Sequence, residues 1–203
     1  QHSIVAQSLD SPLGAETVNG DGFGFGWYPS DPTDRTPGIY RSIEPAWHDQ
    51  NLRDISGAIA SPLIFCHVRA AAGPPIQQTN CHPFRYENWL FMHNGVVSDM
   101  HSIKRDLVLQ VDPELYPHIQ GTTDSEVVFS LALTLGLRDD PVDAMKRAIG
   151  EVERAGNDHG VRFPWQGTVA VSDGQTVWAF RYSTQGRTRT LFHSVDVAVL
   201  KEM

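Results

Sequence analysis

At 203 residues the chain can bury one full hydrophobic core and leaves little room for a second domain. Apolar residues make up 40% and charged residues 20%, an ordinary globular balance, and no apolar run reaches membrane-spanning length. A net charge of −8 without a Lys/Arg cluster argues against a nucleic-acid surface, and Cys66 and Cys81 alone are too few for a disulfide scaffold, so a reducing, cytoplasmic setting is expected.

Gln1 to Val18 has no clean periodicity. In NGDGFGFGWY, Asn19 to Tyr28, glycines alternate with aromatics into a strand-like ending, and glycine within a strand marks close approach of backbone or ligand. After a loop rich in Pro, Asp and Thr, IYRSI predicts a short strand, and AWHDQNLRDISGAI a helix with Trp47, Leu52 and Ile55 on one face. PLIFCHV predicts a fully buried strand with Cys66 as a core thiol, and WLFMH predicts another strand. SIKRDLVLQV is helix-like. TTDSEVVFSLALTLGL is apolar nearly all round and predicts a buried helix opened by a capping box of Thr123 and Glu126. PVDAMKRAIGEVERAG carries Val142, Met145, Ile149 and Val152 at amphipathic spacing. GTVAVSDGQTVWAFRY predicts a hairpin turning at Asp173-Gly174, with Trp178, Phe180 and Tyr182 on one face. Strands at both ends with helices grouped between them make an α+β order, in one domain over residues 1–203.

Four segments could carry chemistry. Arg69, in HVRAAAG, follows a strand, where a guanidinium can grip a carboxylate with two parallel bonds; pairing with a structural acid is the alternative. Asn94-Gly95, in HNG, predicts a tight turn that frees the Gly95 N–H and projects the Asn94 amide, two donors suited to an oxyanion. Asp124 opens the apolar helix, where the dipole and free N–H groups favour a negative charge and an ammonium could dock. TNCHPF sets Cys81 beside His82, but adjacent strand residues rarely face each other, so a catalytic dyad is not expected. NGDGFG lacks phosphate-binding spacing, and the nine histidines fall into no metal-ligand pattern, so neither nucleotide, metal nor cofactor is expected. A cationic fork, a carboxylate and an oxyanion pair are what an amino-acid amide requires.

The ordered set NGDGFG, HVRAAAG, NCHPF, HNG and TDSE, spanning roughly Asn19 to Asp196, resembles the class II glutamine amidotransferases, which are N-terminal-nucleophile hydrolases. It looks closest to the stand-alone branch, with proteins similar to the fungal glutathione-degrading subunit and the γ-glutamyl hydrolase of ergothioneine synthesis. The resemblance implies a four-layer αββα sandwich of two antiparallel sheets. It implies that Arg69 and Asp124, with His93 beside them, bind the γ-glutamyl head group, and that Asn94 and Gly95 are catalytic as the oxyanion hole. It also implies a nucleophilic N-terminal cysteine whose α-amine acts as base. No cysteine precedes NGDGFG, so a segment ahead of Gln1 is expected, as are further strands after Met203. Relatives often carry a hydroxyl where Ala71 and Ala72 stand. The expected reaction is hydrolysis of glutamine to glutamate and ammonia through a thioester. Hydrolysis of glutathione or another γ-glutamyl compound, and a non-catalytic γ-glutamyl-binding subunit, are the alternatives. A synthase or peptidase-like partner protein fits either enzyme; nucleic acid and membrane do not.

Overall fold

Strand β1, Phe23–Trp27, alternates aromatic and glycine, and that alternation sets the spacing of the whole molecule. The computed structural model describes residues 3–11, 17–31, 33–71, 73–188 and 190–193. β1 is the centre of a three-stranded antiparallel sheet, flanked by β2, Gly38–Ser42, and β3, Ile64–Val68. Phe23 and Phe25 face outward against Leu52, Ile55 and Ile59, from or just after α2, Gln50–Ala58, and against Ile4 and Val5 of α1, Ile4–Leu9. Gly24 and Gly26 face the opposite way. A Cβ on Gly26 would stand 2.8 Å from Leu90 Cδ1, so the missing side chains let a second sheet press close.

That second sheet has four antiparallel strands in the order β4, Phe84–Tyr86; β5, Trp89–Val97; β6, Trp165–Ser172; β7, Val177–Ser183. Tyr28, Phe65 and Leu90, with Ile39, Met92 and Ala170, fill the seam between the sheets. On the outer face of the four-stranded sheet lie α3, Met100–Val108; α4, Asp124–Thr134; and α5, Pro141–Asp158. Their core runs continuously through Phe91, Ile103, Leu107, Val127, Leu131, Met145 and Val152. Fully burying each such side chain contributes about 1.5–3 kcal/mol. The layers are therefore helices, sheet, sheet, helices: an αββα sandwich of antiparallel sheets. Among the described residues no helix is long and apolar enough to cross a membrane.

Several local expectations change. β3 is an edge strand, not a fully buried one; Ile64 is 47% exposed and Cys66 is exposed as well. Its apolar run lies against helices on one face and the seam on the other without being covered throughout. Trp47 precedes α2 in the turn closed by His48 N–H to Pro45 O, and the helix starts at the N-cap Asp49, whose carboxylate accepts the Leu52 N–H. On α5, Met145, Ile149 and Val152 are buried, whereas Val142 is 40% exposed. The β6–β7 hairpin turns at Asp173-Gly174, with Asp173 Oδ1 accepting the N–H groups of Gln175 and Thr176.

Candidate functional site

β5 runs straight through His93-Asn94-Gly95: His93 lies opposite Val169, Asn94 opposite Thr168, Gly95 opposite Gly167. The expected hairpin corner is not there, because an eight-pair ladder with β6 outweighs the local turn preference of Asn-Gly. Gly95 is required for a different reason. A Cβ on it would lie 2.5 Å from His93 Nε2 and 2.6 Å from Gly167 Cα. The His93 ring covers the glycine pair, stacked on Trp165 at 4.7 Å between centroids, with Nδ1 3.0 Å from Ser125 Oγ. His93 is thus buried in the helix-side wall, and its Nε2 has no partner among the described residues.

The Gly95 N–H is freed by the sheet's edge rather than by a turn. β4 pairs only with Trp89 to Phe91, so beyond Phe91 that edge of β5 has no neighbouring strand. Val97 uses its N–H there to bind Asp124 Oδ2 at 2.8 Å. Backbone groups of a strand alternate between edges, so the Gly95 N–H points to the same edge, about 7 Å back along it. Asn94, the residue before Gly95, is exposed, and its amide has no hydrogen-bond partner among the described residues.

Asp124 is the first residue of α4, behind the N-cap Thr123, whose side chain accepts the Glu126 N–H at 3.3 Å. Besides Val97, the carboxylate accepts from Ser125 N and Oγ, at 2.8 and 3.2 Å. A carboxylate has about four acceptor directions, so room for a cation remains. The predicted capping box is only half built. Buried Glu126 turns instead to the N–H groups of Gln120 and Gly121, at 3.0 and 2.6 Å, and ties down the loop ahead of Asp124. Burial raises its pKa, and those two N–H groups work against the rise.

Arg69 is 6% exposed and lies in no ion pair among the described residues. The structural acid that sequence left open is not its partner. Its guanidinium donates only to backbone carbonyls: Nη2 to Pro74 O at 3.0 Å and Pro75 O at 3.3 Å, Nη1 to Asp21 O at 3.4 Å. NGDGFG supplies the mounting. Arg69 N–H donates to Gly22 O, Asp21 N–H to Arg69 O, and the Asp21 carboxylate accepts the Ala71 N–H at 2.7 Å. Ala72 lies outside the described residues.

His67, on β3 two residues before Arg69, packs its ring against that of buried His82, with ring centroids 4.3 Å apart and all four ring nitrogens buried without a partner among the described residues. Burial drives both toward the neutral form, His67 down to about 4, and each is lowered further by His93 and Arg69. Burial lowers His93 as well, against the opposing pull of Asp124. Arg69 thus acts on His67 and His82, and Asp124 on His93. Neither cysteine is an activated thiol. Cys81 Sγ faces the carbonyls of Ser42 and Gln77 and burial pushes its pKa up, while His82 turns to His67 and Phe84. Cys66 is on the outer face of an edge strand, not in the core. Asp21 and the fully buried Asn80 escaped sequence reasoning, because each acts through bonds to loops that only the fold brings near, whereas Glu126 was read as a cap and ties down the preceding loop instead.

A family model described as glutamine amidotransferases class-II matches residues 4–194. The probable glutamine amidotransferase DUG3 of Saccharomyces cerevisiae is 38% identical over 206 residues, covering 90% of this chain and 58% of the yeast protein. The γ-glutamyl-hercynylcysteine sulfoxide hydrolase of Mycolicibacterium smegmatis is 28% identical, covering 90% of this chain and 69% of that protein. A solved class-II glutamine aminotransferase domain protein from Silicibacter pomeroyi superimposes with a TM-score of 0.73 at 40% identity, covering 83% of this chain and 72% of that one.

Proposed function

This chain belongs to the class II glutamine amidotransferases, and from that premise we propose that it hydrolyses a γ-glutamyl amide bond, with glutamine giving glutamate and ammonia. Arg69 grips the α-carboxylate and Asp124 the α-ammonium. The Asn94 amide and the Gly95 N–H receive the γ-carbonyl oxygen as it gains charge, and one such donor typically contributes about 10²–10³ in rate. A thiolate adds to the carbonyl carbon, and the π pair moves to oxygen. Collapse then expels the amine, and water hydrolyses the remaining thioester. The reaction calls for a cysteine thiol at the mature N-terminus as its nucleophile. That cysteine's own α-amine, with a pKa of about 8, takes the thiol proton and passes it to the departing amine. Two free cysteines suit a cytoplasmic protein, and a synthase or peptidase-like partner would use or supply the small molecules.

The observation that carries the proposal is Arg69, a buried cation bonded only to carbonyls, in a setting where an unpaired charge is costly. Arg69→Ala should lower kcat/KM for glutamine by about 10²-fold or more, mainly through KM. Unchanged turnover would overturn the assignment of Arg69. Likeness to a γ-glutamyl-hercynylcysteine sulfoxide hydrolase favours a second substrate class, a larger γ-glutamyl compound such as glutathione. Comparing kcat/KM for glutamine and glutathione separates the two. A mature N-terminus other than cysteine, read by intact mass, would instead favour a non-catalytic γ-glutamyl-binding subunit.

A further inference from the structure

The two charges of the head-group clamp come from segments more than fifty residues apart, and one buried side chain joins those segments. Asn80 is fully buried and uses both ends of its amide. Nδ2 donates to Pro75 O at 2.9 Å, the same carbonyl that accepts from Arg69 Nη2, and reaches Thr122 Oγ1 at 3.0 Å. Oδ1 accepts the Thr122 N–H at 2.8 Å and the Gln77 Nε2 at 3.2 Å. Three hydrogen bonds therefore lead from the Arg69 guanidinium to the residue two places before Asp124. The contact is tight from the far side too: a Cβ on Gly121 would stand 2.5 Å from Asn80 Oδ1.

We propose that Asn80 is a positioning residue that sets the spacing between Arg69 and Asp124, so that one ligand carrying both an α-carboxylate and an α-ammonium satisfies both at once. This rests on the head-group roles proposed above and adds a cause for their geometry. An amide suits the task because it offers donors and an acceptor at fixed angles. Pro75 O needs a donor and the Thr122 N–H needs an acceptor, so neither a carboxylate nor a hydrocarbon can serve both. Cys81 and His82, next in sequence, play no part in the bridge.

The test is calorimetric binding of three probes to the full-length protein: L-glutamate, which carries both handles; glutarate, which lacks the ammonium; and 4-aminobutyrate, which lacks the α-carboxylate. The unaltered protein should bind L-glutamate far more tightly than either single-handle probe. Asn80→Ala should weaken L-glutamate about 10- to 100-fold while leaving the two weak probes within about twofold, since each still finds its own charge. Thr122→Val, which removes the hydroxyl's two contacts with Asn80 without opening a void, should weaken L-glutamate about 5-fold in the same selective way. It keeps the test decisive if Asn80→Ala fails to fold. Equal weakening of all three probes, or unchanged L-glutamate affinity in a folded variant, would overturn the coupling role alone. If the unaltered protein prefers neither handle and Arg69→Ala changes nothing, the head-group reading itself falls, and the coupling with it.

Discussion

The two halves of the sandwich hold the two halves of the site by different means. Behind β5, helices α3 to α5 build a continuous core, and Asp124, Asn94 and Gly95 stand on its rim. Outside the three-stranded sheet α1 and α2 are short, and the buried set shrinks to Phe23, Phe25, Ala46 and Leu52. Arg69 belongs to that thinner half and is fixed by polar bonds to Asp21, Pro74 and Pro75. Apolar packing is non-directional and sums over many contacts, whereas a hydrogen bond contributes about 1 kcal/mol net and fixes an angle. Stability should therefore be stored in one half, and substrate affinity tuned in the other.

The largest effect belongs to the packed half. Leu131→Ala, at a fully buried site in α4, should destabilise by about 2–5 kcal/mol, read from the urea midpoint. KM for glutamine in the fraction that stays folded should be unchanged. A KM rising in step with the loss of stability would show that the two stores are one.

The same division explains which features are legible in the sequence alone. The aromatic-glycine strand at Phe23, the buried helix at Val127 to Leu133 and the hairpin at Asp173 each rest on patterns within a dozen residues, and local patterns survive folding. The order of motifs around Arg69, Asn94 and Asp124 was legible in the same way. What misled was a local signal outvoted by a distant partner. Asn94-Gly95 reads as a turn until Gly167 pairs with it, and PLIFCHV reads as buried until β3 falls at an edge. Asn80 and Asp21 gave no signal, since their partners Thr122 and Ala71 lie 42 and 50 residues away.

At the seam between the halves, acid should reveal the buried histidines. His67 is held down to about 4, against about 6.5 in an unfolded chain. Above pH 6.5 both states are neutral and the group contributes nothing. As pH falls below 6.5 the unfolded chain takes up the proton and the folded one does not, so stability drops until pH 4 and then levels. The full span costs about 3 kcal/mol from His67 alone, with His82 and His93 acting in the same direction. Urea midpoints measured from pH 7 to pH 4 should fall accordingly, and His67→Phe should remove its share of the slope. A flat profile in the unaltered protein would mean that these rings are not held neutral.

The smallest effect is the sharpest probe of the thinner half. The Asp21 carboxylate accepts the Ala71 N–H at 2.7 Å and so fixes the loop from which Arg69 hangs. Asp21→Asn keeps an acceptor of the same shape and removes the charge. A charge-assisted hydrogen bond is roughly twice as strong as a neutral one, so the tether weakens by about 1 kcal/mol. The backbone bonds between Arg69 and Gly22, and between Asp21 and Arg69, remain, so the urea midpoint should fall by no more than about 0.5 M. What slackens is the angle at which the guanidinium would meet a carboxylate, and KM should rise about 5-fold while kcat holds, because the proposed oxyanion donors sit on β5 across the seam. A fall in kcat at constant KM would instead place Asp21 on the side of the chemistry and dissolve the division between the halves.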